Sequence, residues 1–296
     1  MSSIQANDIT LEYEIFGPAT APPLLLVMGL SMQMIAWPDP FCQMLVDKGF
    51  RVIRFDNRDV GLSSKFDHLG TPNIPLEFLK HVMRLPLKAQ YLINDMAADT
   101  AGLLDALKIE AAHIVGVSMG GMIGQNLAAN FPSRVLSLTS IMSTTGRRSL
   151  PGPTRKARRA IMMPPAKQGD VAVAVARMKT VIRAIGSVGF PEDEATLNDF
   201  CERHVRRNYY PAGGARQLMA IAASGDRTAA IRRITAPTLV IHGKDDPLVP
   251  VAAGIETARQ IPHAKLSVIA GMGHDLPVGL HARLADEIAA HCFGRL

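Results

Sequence analysis

Buried-type strands alternate with helices along most of this chain. That alternation predicts an α/β fold, a mostly parallel sheet with helices on both faces. Two observations carry the prediction. Apolar runs such as Leu24-Leu25-Leu26-Val27-Met28 are continuous rather than alternating, as in strands covered on both sides. Segments of helical period, such as 94–107, stand between the runs.

Taken in order, residues 10–16 (TLEYEIF) alternate and read as a half-buried strand. Residues 24–28 follow, with turn residues on both sides, and 51–55 (RVIRF) form another strand. Residues 94–107 read as a helix with Asn94 or Asp95 as N-cap. Strand 113–117, helix 119–130 and strand 135–141 come next. Strand 237–242, helix 251–260, strand 265–270 and helix 280–292 close the chain. Two stretches break the alternation. Residues 62–93 are punctuated by Pro72, Pro75 and Pro86, and 143–230 are mostly helical, most clearly at 171–185 and 192–210. Excursions of that size pack over the carboxyl edge of a parallel sheet, where such folds hold ligands. The sequence thus divides into a core, 1–142 and 231–296, and a helical cap, 143–230, with 62–93 beside it.

The chain has 296 residues, 48% hydrophobic and 20% charged, a globular balance that excludes long-range disorder. Cys42, Cys201 and Cys292 are too few and too scattered for a disulfide framework or a zinc site, which points to a reducing, cytoplasmic setting. No apolar run approaches the ~20 residues of a membrane span, and the first residues lack a secretory pattern. The net charge of +6 is local. Residues 147–216 hold fourteen basic and six acidic side chains, a net of +8, so the remainder carries −2.

One motif carries chemistry. Gly116-Val117-Ser118-Met119-Gly120 fits G-x-S-x-G and sits directly between an apolar strand and a helix. A serine on that sharp turn projects its hydroxyl above the sheet, and the glycines let backbone and helix approach. The plainer role, a serine N-cap on helix 119–130, does not explain glycines on both sides. A serine nucleophile needs a base, and the base an orienting acid. HGKDDPLVP (242–250) and GMGHDLP (271–277) follow strands and supply both. His274 is the base. Asp246, before Pro247, is preferred over Asp245 as the orienter, Asp245 being read as a solvated turn residue. Asp275 is structural, and His242 makes a core hydrogen bond. Two backbone donors for an oxyanion follow: Met119 N–H, and Leu30 N–H on the loop after strand 24–28, where Gly29 permits the turn.

With these residues in place the chain resembles the α/β-hydrolase superfamily over nearly its full length. The resemblance rests on LLLVMGL, RVIRFDNRDVGLSS, GVSMGG, LVIHGKDDPLVP and GMGHDLP in that order. The block from Val27 to Asp59 is most similar to the aclacinomycin methylesterase group and related bacterial carboxylesterases. The resemblance implies about eight strands, a helical cap after the sixth, and the triad Ser118, Asp246, His274. Two departures stand out. Met28-Gly29 replaces the His-Gly of many relatives, and Asp59 stands where a glycine follows Arg58. Asp56 and Arg58 are read as an ion pair that holds this loop.

Methionines gather on segments assigned to the site. A substrate pocket is assigned to Gly29, Met32, Trp37, Met142, Met163 and Met272, apolar and adaptable; Trp37 either closes it or anchors the core beside Pro38. The basic insert reads first as a solvated helical surface, then as a steering field for anionic substrates. Nucleic acid ranks last, because no stacking aromatics interleave the arginines. The P-loop, H-E-x-x-H and C-x-x-C patterns are missing. Ser118 argues against dehalogenases and epoxide hydrolases of this fold, which place Asp there. The expectation is a serine carboxylesterase acting on small-molecule, apolar or bulky esters, without metal or cofactor, with no nucleic-acid or membrane partner, and with a homodimer left open. Carbon–carbon bond hydrolysis, cofactor-free peroxidation and a non-catalytic ligand-binding relative are the alternatives.

Overall fold

A computed structural model describes residues 1–167 and 169–295. The chain begins with a hairpin, β1 (Ser2–Ala6) and β2 (Ile9–Phe16). Asn7 and Asp8 both have positive φ (50° and 63°), the two-residue turn that matches strand twist. There follow β3 (Pro23–Val27), α1 (Asp39–Asp47), β4 (Arg51–Phe55), α2 (Ile74–Val82) and α3 (Ile93–Ala106). Next come β5 (Ala112–Val117), α4 (Met119–Asn130) and β6 (Val135–Ile141). The long insert contains α5 (Arg155–Ile161), α6 (Val171–Ile185), α7 (Glu194–Arg207), α8 (Pro211–Ser224) and α9 (Thr228–Ile231). The chain ends through β7 (Thr238–Gly243), α10 (Ala252–Gln260), β8 (Lys265–Ile269) and α11 (His281–Cys292).

Among the described residues the strands form one eight-stranded sheet, ordered β1-β2-β4-β3-β5-β6-β7-β8. β1, β2 and β4 pair antiparallel; every other pair is parallel. Alternate residues of β3 serve opposite faces. Leu25 and Val27 pack with α3 and α4, while Leu24 and Leu26 pack with α1 and α11. β5 is buried along its whole length. This is the period-2 geometry of a strand covered on both sides, and each large side chain so buried contributes about 1.5–3 kcal/mol.

Chain order reverses beside β3. From β3 the chain steps outward to β4, then returns to place β5 on the other flank. The loops leaving β3 and β5 therefore diverge and open a crevice at their carboxyl ends. Ser118 follows β5 and Leu30 follows β3, so both stand at this crevice.

Three local features differ from the sequence reading. β1 has no sequence signature because it is an exposed edge strand. The N-cap of α3 is Leu92, not Asn94 or Asp95; Asp95 lies three residues on, and its Oδ2 accepts the Leu92 N–H at 2.7 Å. The second clear helix of the insert is shorter than 192–210, starting after Asp193, whose carboxylate accepts the Ala195 and Thr196 N–H groups. The insert is divided in its packing. Ala174, Val175, Leu197, Cys201 and Val205 form a cluster of their own between α6 and α7, whereas Ala220 and Ile231 join the main core.

Candidate active site

Ser118 sits at φ 54°, ψ −115°, a conformation that L-residues avoid. The turn is held from three sides. Ser118 N–H donates to Ile141 O at 2.9 Å, and Ser118 O accepts Ser143 Oγ–H at 2.8 Å and Met122 N–H at 3.2 Å. The flanking glycines are steric requirements. A Cβ on Gly116 would lie 2.2 Å from Gly120 O, and one on Gly120 would lie 2.1 Å from Val27 O. Met119 opens α4, so its N–H belongs to the first turn, whose amides lack helical acceptors and carry the positive end of the helix dipole.

His274 Nε2 lies 3.0 Å from Ser118 Oγ, and His274 Nδ1 lies 2.7 Å from Asp246 Oδ2. An ionised carboxylate only accepts, so Nδ1 carries the proton and the Nε2 lone pair faces the serine hydroxyl. Asp246 is buried, and its Oδ1 accepts Leu248 and Val249 N–H at 2.9 and 2.8 Å, which fixes the carboxylate plane. Such a chain of bonds can pass a proton from hydroxyl to imidazole while the carboxylate holds the ring. Asp245 is exposed and accepts Gly271 N–H at 2.7 Å. His242 is fully buried, bonded to Val249 O at 2.7 Å, and burial lowers its pKa. Asp275 is bonded to Ser187 Oγ, and burial raises its carboxyl.

The loop after β3 runs beside the hydroxyl. A Cβ on Gly29 would stand 3.8 Å from Ser118 Oγ. Ser31 takes φ 60°, and Met32 N–H closes the turn on Gly29 O at 3.2 Å. Leu30 lies inside that turn. Trp37, Met142 and Met272 are packed within the core cluster on one sheet face; Trp37 stacks on Phe41 with centroids 5.6 Å apart. Met32 borders that cluster, and Met163 is half-buried between α5 and α6.

The Asp56–Arg58 pair expected from the sequence does not form. Arg58 instead binds Asp99 of α3, with Nε and Nη2 contacts of 2.5 and 2.6 Å. Asp56 pairs with Arg207 of α7 at 2.7 Å and accepts Met34 N–H at 2.7 Å. Each finds a partner distant in sequence, Asp99 on α3 for Arg58 and Arg207 on α7 for Asp56. Asp59, the departure from glycine, is fully buried and gripped by Arg216 Nε and Nη2, both at 2.8 Å, with Tyr91 Oη at 2.7 Å. Two of the basic residues of the insert, the buried Arg216 and the half-buried Arg207, are therefore partners of loop carboxylates rather than solvated charge.

Two glutamines escaped the sequence reading. Gln217 of α8, fully buried, accepts Ser31 N–H through Oε1 and donates Nε2–H to Arg58 O, both at 2.8 Å. Gln33 donates to His204 O and Asn208 O at 2.6 and 2.9 Å and accepts from Arg207 at 2.7 Å. The insert also braces the histidine loop: His274 N–H donates to Ile185 O, and Gly273 N–H to Ser187 Oγ, both at 2.8 Å. Nothing local in the sequence marks these residues, because their partners lie as far as 186 positions away.

This sheet order, with a strained serine after the fifth strand and acid and histidine after the last two, defines the α/β-hydrolase architecture. The chain belongs to the alpha/beta hydrolase fold family, whose model matches residues 22–278. It is a hydrolase. It is 31% identical to a rhodomycin D methylesterase of Streptomyces sp. (strain C5), over 97% of this chain and 96% of that one. It is 29% identical to a 3-oxoadipate enol-lactonase of Acinetobacter baylyi, over 90% and 87%. A meta-cleavage product hydrolase from Pseudomonas fluorescens superposes with a TM-score of 0.74 at 20% identity, covering 99% of this chain and 97% of that structure, a likeness of fold.

Proposed function

We propose that the protein is a serine carboxylesterase that works through an acyl-enzyme. The observation that carries this reading is the continuous hydrogen-bonded chain Ser118–His274–Asp246 ending at a strained serine. Ser118 Oγ attacks the ester carbonyl while His274 Nε2 takes its proton. Asp246 keeps the imidazole in the required tautomer and stabilises its charged form. Met119 and Leu30 N–H groups receive the oxyanion, the first from a helix N-terminus. His274 returns the proton to the departing alcohol. It then activates the water that releases the acid. The insert 143–230 serves as the lid, and Gly29, Met32 and Met163 form the apolar pocket wall, while Trp37, Met142 and Met272, expected there from the sequence, are buried in the core behind it. The methylesterase likeness supports esters of apolar, bulky acids, methyl esters among them.

The test is pre-steady-state hydrolysis of p-nitrophenyl butyrate with mass spectrometry of the quenched protein. A burst of p-nitrophenol with an acyl adduct on Ser118, both lost in Ser118→Ala, is the expected result. Turnover that survives Ser118→Ala would overturn the reading.

A further inference from the structure

α2 is packed inside out. Glu77 is its one buried side chain, covered by the segment that follows and bonded to Lys80 Nζ at 2.6 Å and to Lys88 N–H at 3.2 Å. Its apolar side faces solvent. Leu76, Phe78, Leu79 and Val82 are 47–62% exposed, and Met83 and Leu85, just past the helix, are 60% and 45% exposed. At ~100° per residue, Leu76, Phe78, Leu79 and Val82 cover an arc of about 160°. A surface helix of a globular protein ordinarily turns such an arc inward. Six exposed apolar side chains within ten residues, four of them on one helical arc, mark an interaction surface.

The charge beside this arc identifies the occupant. Between residues 71 and 90 the chain carries Lys80, Arg84 and Lys88 against Glu77 alone, a net of +2 with His81 uncounted. Arg84 and Lys88 are exposed, and Glu77 neutralises only one of the three. A second copy docked face to face would bring this positive charge against itself. An anionic lipid surface meets both properties, because acyl chains accept the apolar arc and headgroups accept the flanking cations. The helix is far too short to span, and no helix among the described residues is long and apolar enough to cross a membrane. The expectation of no membrane partner rested on spanning length, which an in-plane helix does not need.

We propose that α2 and the segment through Lys88 dock the protein reversibly on anionic phospholipid bilayers, with Phe78 and Val82 inserted and Arg84 and Lys88 at the headgroups. α2 rests on α8, the helix whose Gln217 holds the Ser31 turn, so a docked molecule carries its crevice near the bilayer. Apolar substrates concentrated in the membrane would then enter without crossing water.

The experiment is co-sedimentation of the full chain with vesicles of phosphatidylcholine alone or with about a third phosphatidylglycerol. Binding to the anionic vesicles is expected. It should weaken at least tenfold in Phe78→Ser/Val82→Ser and in Arg84→Glu/Lys88→Glu, and fall as salt rises. Phe78 and Val82 are half-exposed or more and lie outside the proposed catalytic machinery, so hydrolysis of a water-soluble short ester should persist and report a folded enzyme. Failure of the wild-type chain to bind anionic vesicles would overturn the proposal. So would equal binding by both variants. A wild-type dimer in light scattering that becomes monomeric in Phe78→Ser/Val82→Ser, without vesicle binding, would assign the face to a second copy instead.

Discussion

The sheet and the insert are held by different forces. β3, β5 and their covering helices are joined mainly by apolar packing on both faces, with a few buried polar pairs such as His113–Ser137 and Gln125–Ser140 set within it. The insert meets the crevice through directional bonds: Arg207–Asp56, Arg216–Asp59, Gln217–Ser31, Gln33–His204 and Ile185–His274. Apolar packing tolerates small shifts, because it is non-directional. Buried hydrogen bonds do not, because an orphaned group keeps its full desolvation cost. The sheet thus supplies a stable platform, and the insert fixes the loops that carry Leu30 and His274.

That contrast can be tested from its largest expected effect downward. Ser118→Ala removes the proposed nucleophile from a site whose surroundings it does not support. Turnover of p-nitrophenyl butyrate should fall about 10⁵- to 10⁶-fold with the urea midpoint nearly unchanged. Arg216→Met attacks the other kind of bond. It leaves the Asp59 carboxylate buried without its cation, at an expected cost of about 3–5 kcal/mol in urea unfolding. Pairing it with Asp59→Asn should recover much of that loss, whereas an unchanged single variant would mean that this ion pair does not anchor the insert.

Acid should weaken the fold before it titrates the carboxylates. Burial drives His113 and His204 down to about 4, against about 6.5 in the unfolded chain. Their folded pKa values are depressed, so the unfolded chain binds protons first as pH falls. Their contribution to stability should therefore decline from pH 6.5 to about 4 and level off below, by about 3 kcal/mol for each histidine at ~1.4 kcal/mol per pKa unit. His204→Phe should flatten part of that slope; a slope unaltered in thermal melts would assign the acid sensitivity elsewhere.

Gln217→Ala leaves Ser31 N–H and Arg58 O without partners and frees the turn around Leu30. The rate constant kcat should fall about 10- to 100-fold with KM little changed, since the ground state loses less than the oxyanion does. Gln217→Glu, which restores an acceptor for Ser31, should recover part of it. An equal rise in KM would show a binding role instead. The smallest effect belongs to the methionines. Met32→Ala/Met163→Ala should shift the preferred acyl chain length by a few carbons in a series of p-nitrophenyl esters, and an unaltered profile would remove them from the pocket.

Much of this was legible in one dimension. Period-2 and period-3.6 patterns give each central strand and helix to within a residue or two, because burial on a face repeats along the chain. Not every element was given: α1, α5, α8 and α9 have no individual reading in the sequence, and β1 and α2 present exposed surfaces and leave no such pattern, or an inverted one. Ser118, His274 and Asp246 were readable because glycine and proline punctuation marks the turns that carry them. The partners of Asp56, Arg58 and Asp59 were not. Charge sign permits the nearest pair, but loop direction decides which carboxylate meets which guanidinium.

The sequence alone determined the order of elements, the strained serine turn and the residues that could act as base and acid, since each depends on local sterics or on periodic burial. Only the tertiary structure decided that His274 stands 3.0 Å from Ser118, that Gln217 closes on Ser31 from 186 residues away, and that the apolar side of α2 faces outward. Those outcomes depend on which elements the sheet brings together across space, and no local pattern along a chain encodes that distance.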